Sequence, residues 1–131
     1  MAGLKNRFTM RQAWRLALIF AAATFGGSAY AIDPPYQKEM ERLTEVLGSL
    51  YFLQPLCTVE VEDWRAQAAE LIALDNPDDD RRQRLIGEFN TGYESYARVY
   101  RSCTPSANEA MIRLLVEAEK SAREIRERFA E

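Results

Sequence analysis

The sequence predicts an all-α protein: a compact four-helix antiparallel bundle stapled by one disulfide. Three observations lead there. After residue 31 the apolar residues recur every three or four positions, and no stretch longer than a few residues alternates with period two. Pro55, the run Asp75-Asn76-Pro77 and the pair Thr104-Pro105 cut that pattern into four segments. The only two cysteines, Cys57 and Cys103, fall after the first segment and at the end of the third, which share one side of an up-down-up-down bundle.

The segment before the bundle is of another kind. Residues 1–15 carry Lys5, Arg7, Arg11 and Arg15 and no acid, and Leu16 to Phe25 reads LALIFAAATF, uncharged throughout. Gly26-Gly27 and then Ala29 and Ala31 follow, a helix break and small residues at the −3 and −1 places of a peptidase site. Residues 1–31 therefore read as a secretory signal peptide cleaved after Ala31, leaving 32–131 as a single helical domain. The competing reading is an uncleaved anchor, but a spanning helix wants roughly 20 apolar residues, and a glycine pair interrupts this run. No cysteine sits at the site for lipidation, and no Arg-Arg pair marks twin-arginine export. The expected location is the periplasm, with no stable membrane anchor after cleavage.

The first helix is expected over about 35–54, with Tyr36, Met40, Leu43, Leu47 and Leu50 on one face, Asp33 as its cap, Pro55 as its stop and Gly48 as a point of close packing. The second is expected over about 61–74, with Trp64, Ala68, Leu71 and Ile72 inward. The third starts at the Asp75-Asn76-Pro77 break with Asn76 as cap, has three aspartates at its positive end, and runs to about Ser102. The fourth opens at Thr104-Pro105, with Ser106 and Glu109 as an alternative capping box. It carries Met111, Leu114, Leu115, Ala118, Ala122, Ile125 and Phe129 down one side. Glu109–Arg113, Glu119–Arg123 and Glu124–Arg128 are correctly oriented pairs on its wet face.

Charge and chemistry narrow the function. Beyond Ala31 the chain holds 13 bases against 20 acids, a net charge of −7, which repels nucleic acid and anionic membrane surfaces alike. Export places the two cysteines where a bridge persists, and two cysteines allow one pairing. There is no Cys-x-x-Cys and no histidine to activate a thiol or hydroxyl. The acidic run Asp75 to Asp80 fails as a calcium loop, since Pro77 and Ile86 fall where ligands belong. No cofactor and no metal are expected. Glu60 with Asp63, or Glu88 with Glu94, are the carboxylate pairs a hydrolase would draw on.

The run from Leu53 to Cys103 resembles a known family through Pro55-Leu56-Cys57, Trp64-Arg65, Phe89-Asn90, Gly92-Tyr93 and Cys103-Thr104. It is similar to a domain-of-unknown-function family of small exported alphaproteobacterial proteins. The resemblance implies a Gram-negative periplasm and implies neither a catalytic role nor a partner.

The residues left to carry function are the rings of the third helix: Phe89, Tyr93, Tyr96 and Tyr100, with Asn90 beside them. They either fill the core, with hydroxyls at the rim, or form a binding surface that Tyr36, Tyr51 and Trp64 could join. Asn90-Thr91-Gly92 could bend the helix and open a groove there. The sequence thus points to a non-enzymatic periplasmic module that binds or regulates another envelope component, a protein. A small-ligand carrier using the aromatic face is the alternative, and a carboxylate-based cell-wall hydrolase is a more distant one.

Overall fold

The computed structural model describes residues 32–129 of the 131. The expected leader and its cleavage site after Ala31 lie outside the described residues. The described residues fold into four α-helices: α1 (Gln37–Cys57), α2 (Trp64–Asp75), α3 (Asp79–Ala97) and α4 (Pro105–Phe129).

The helix ends show what the local chemistry does. Asp63 accepts a hydrogen bond from the Ala66 N–H to start α2, and Asp78 accepts from the Arg81 N–H to start α3. Thr104 Oγ1 accepts from the Ala107 N–H, with Pro105 in the first turn of α4. Four expectations about ends are corrected. Helix α3 stops at Ala97 and does not reach Ser102. Asn76 does not cap α3. It closes α2 in the left-handed conformation, φ 46°, which asparagine tolerates. Asp33 does not cap α1, because its carboxylate pairs with Arg84. Pro55 does not stop α1: it lies in the last turn, where its missing N–H removes only one bond, and α1 continues to Cys57. On the wet face of α4, Glu109–Arg113 and Glu119–Arg123 pair as expected, whereas Glu124 pairs with Lys120.

The bundle runs up-down-up-down, but α1 is its hub. Tyr36 meets Asp75 and Gln54 meets Trp64, so α2 is antiparallel to α1. Gln37 meets Arg81 while Phe52 meets Tyr93, so α3 runs parallel to α1. Arg42 meets Glu117, and the ring of Tyr36 lies 5.4 Å from that of Phe129, so α4 is antiparallel to α1. The backbones of α3 and α4 are not neighbours.

This arrangement follows from two glycines. A Cβ on Gly48 would lie 2.7 Å from the Phe89 carbonyl carbon, and one on Gly92 would lie 2.8 Å from that of Glu45. With no Cβ at either position, each glycine lets a backbone carbonyl of the other helix approach, and α1 and α3 come into backbone contact. The helices that are diagonal in an open four-helix bundle become the closest pair. Residues Leu43, Val46, Leu47, Leu50 and Leu53 of α1 then form the middle of the core, packed by Trp64 and Ala68 from α2 and by Ala107, Ala110, Met111, Leu114 and Ala118 from α4.

The two ends of the α1–α3 pair are fastened differently. At one end Cys57 and Cys103 form the expected disulfide, Cα to Cα 5.0 Å, across 46 residues of chain. A loop of that size constrains the unfolded state by about 2–4 kcal/mol. At the other end Arg81 donates to Asp75 (2.6 Å) and to Gln37 (2.7 Å), with Tyr36 donating to the same Asp75 at 2.8 Å.

Candidate functional site

The four rings expected on the third helix do not act as one face, and Tyr100 lies beyond the end of α3 at Ala97. Phe89 and Tyr93 turn toward α2 and meet Tyr51, at 5.7 Å and 5.8 Å between ring centroids, and Phe52 meets the Tyr93 edge at 5.5 Å. Tyr96 and Tyr100, one turn on, stack on each other at 6.2 Å and pack half-buried on the main core. Of the other rings that could have joined, Tyr51 does so. Trp64 is buried with its indole N–H donated to Gln54, and Tyr36 lies at the far end against Asp75 and Phe129.

No bend separates these groups. The helix α3 is unbroken from Asp79 to Ala97, and the expected bend at Asn90-Thr91-Gly92 is absent. Gly92 lowers local helix propensity, but it is there for the crossing with α1, where a Cβ would meet the Glu45 carbonyl group.

A groove of about 500 Å³ nevertheless opens between α2 and α3. Its floor is Tyr51 of α1, one wall is Ile86, Phe89, Asn90 and Tyr93 of α3, and the other is Arg65, Ala68, Ala69 and Ile72 of α2. The reason is side-chain size. Ala68 and Ala69 present only methyl groups to α3, too short to fill the space left by two helices that both rest on α1. The groove is shallow: its lips, Ile86 and Tyr93, are 41% and 38% exposed. Of the five candidate residues, Phe89, Asn90 and Tyr93 thus come together here, and Tyr96 and Tyr100 do not.

Arg65, Ala69 and Ile86 were not legible as groove residues. Ile86 lies one position off the Leu85–Phe89 stripe, and an exposed isoleucine there was the available signal. The groove can offer three rings for stacking, aliphatic side chains in both walls, one amide and one guanidinium, a set suited to holding a ligand.

One member of each carboxylate pair is engaged, Asp63 at a helix start and Glu94 with an arginine, as are two aspartates of the acidic run. Asp63 caps α2, Asp78 caps α3, Asp80 pairs with Arg84, and Glu94 pairs with Arg98 at 3.1 Å. Among the described residues no group of three or more Asp, Glu, Cys or His is placed to hold a metal ion.

Residues 35–129 match the model of a family described as protein of unknown function (DUF2385). No curated protein matches the chain, and no solved structure does.

Proposed function

The chain belongs to the DUF2385 family, and we propose from that premise that it is an exported, non-enzymatic binding or regulatory module whose working surface is the α2–α3 groove and whose partner is an envelope protein. The observation that carries this is the groove: aromatic, lined by exposed apolar side chains and open along its top. Soluble domains rarely leave such surface unoccupied. Tyrosine suits it, since it gives large contact area at small entropy cost and keeps a hydroxyl for orientation. A volume of about 500 Å³ is also within the usual range for small-ligand sites. Such sites bury most of their ligand, however, and lips as exposed as Ile86 and Tyr93 favour a segment whose outer side belongs to a larger partner.

Export rests on the basic start, the apolar run and the small residues ending at Ala31, with the disulfide as a compatible second feature. In a Gram-negative cell it leads to the periplasm. The intact mass of the exported protein is expected to begin at Ile32. A species retaining residues 1–31 would overturn cleavage.

The groove is tested by two tyrosines of one helix. Tyr93→Ala is expected to abolish recovery of the partner in crosslinking on intact cells while changing stability by less than about 1 kcal/mol. Tyr96→Ala, on the core, is expected to lower thermal stability, with partner recovery falling only in proportion to folded protein. Full recovery with Tyr93→Ala would remove the groove from the function.

A further inference from the structure

We propose that the groove selects an acidic, apolar segment of a partner polypeptide, with Arg65 as the residue that holds its carboxylate; this rests on the groove being the docking surface. The observation is a mismatch of charge. In a region with 13 bases and 20 acids, the one charged residue lining the groove is a cation. That cation is uncommitted. No carboxylate of the described residues lies within 4.0 Å of it. The two neighbouring acids are turned elsewhere: Glu62 accepts from the Gln67 side chain and Asp63 from the Ala66 N–H. The helix offers no partner either, since positions 61, 68 and 69 are Val, Ala and Ala.

An exposed arginine beside aromatic and aliphatic surface is suited to a ligand that brings the anion itself. A guanidinium presents a planar fork of donors to a carboxylate, and the bond strengthens where rings exclude water. Asn90 on the opposite wall can pair with a peptide group. The floor, Tyr51, and the adjoining Ile72 of the α2 wall accept the apolar side chain next to the acid. An acid in this place also works against the net field of the domain, so preference for an anion is a sharp property: the −7 charge alone would produce the reverse.

The test uses the exported protein and two dyes with the same ring system, 1-anilinonaphthalene-8-sulfonate, which is anionic, and N-phenyl-1-naphthylamine, which is neutral. Both are expected to bind and to be weakened by Tyr93→Ala. The anionic dye is expected to bind about threefold to tenfold more tightly, as for a charge-assisted bond at a partly exposed site. Arg65→Gln should erase that difference and leave the neutral dye unchanged. Equal affinities, or a preference that survives Arg65→Gln, would overturn the role of Arg65 and leave the groove standing. Failure of Tyr93→Ala to weaken either dye would remove the groove itself.

The source of the acid is read by a photo-crosslinking side chain at position 90, with the linked fragment identified by mass spectrometry. A polypeptide segment containing Asp or Glu beside a bulky apolar residue, and lost with Arg65→Gln, supports the proposal. A lipid, a basic segment or a second copy of this chain would overturn it.

Discussion

Gly92→Ala is expected to cost about 3 kcal/mol, although alanine is the better helix former by about 1 kcal/mol. The added methyl would fall on the Glu45 carbonyl group and 2.8 Å from Ser49 Oγ. The serine could rotate away. The carbonyl cannot, because it belongs to the backbone of the central helix, so α1 and α3 would have to separate along their whole contact. Gly48→Ala meets the Phe89 carbonyl group in the same way and is expected to behave alike. Gly87 is the internal control. It is in the same helix as Gly92, is exposed, and has nothing within 4 Å of where its Cβ would stand. Gly87→Ala should therefore stabilise, by about 0.5–1 kcal/mol. Thermal unfolding of the three variants decides the matter, since for a domain of this length about 1 kcal/mol moves the midpoint by roughly 4–8 °C. If Gly92→Ala and Gly87→Ala shift the midpoint in the same direction, the helices do not touch at Gly92.

That crossing also explains which parts of the fold were legible beforehand. Apolar spacing located all four helices, because each must bury one stripe and the stripe has the period of the helix. The disulfide was legible because only one pairing was possible and up-down-up-down topology places both cysteines at one end. Helix ends were less so: Asp33 has the right chemistry for a cap, but an arginine 51 residues away takes its carboxylate. Gly48 could be suspected as a packing point. Gly92 reads in the sequence as part of a bend, since a glycine in a helix signals either weakness or close approach, and only the partner at Glu45 tells which. The groove has the same character. Its aromatic wall could be read from α3, but Ala68 and Ala69 look like ordinary core alanines until the distance to α3 is known.

The feature hardest to foresee was Arg81. In the sequence it stands with Arg82 and Arg84 directly after three aspartates, and nothing there marks it as buried. In the fold its side chain is 10% exposed and that of Asp75 is 7% exposed, so the pair is enclosed where α1, α2 and α3 meet. Removing one member strands the other. Asp75→Ala is expected to cost about 3–5 kcal/mol, because the Arg81 guanidinium would remain buried with only Gln37 to accept from it. Arg81→Met should cost a similar amount, leaving a buried carboxylate and freeing the Gln37 oxygen. The double variant Asp75→Ala/Arg81→Met removes both charges and puts apolar volume in their place, so it should lose much less than the sum of the two. Tyr36 supplies a second check. Its phenol is held above the ordinary value of 10.0, first by the hydrogen bond it donates to Asp75 and then by burial. A raised folded pKa means that its contribution is fully present below pH about 10 and is lost as the pH climbs through the folded value. That alkaline loss should shrink in Asp75→Ala. Urea unfolding of the four proteins, with matching slopes, measures the coupling. Strictly additive losses would mean that the two charges are solvated separately and do not fasten this end of the bundle as a pair.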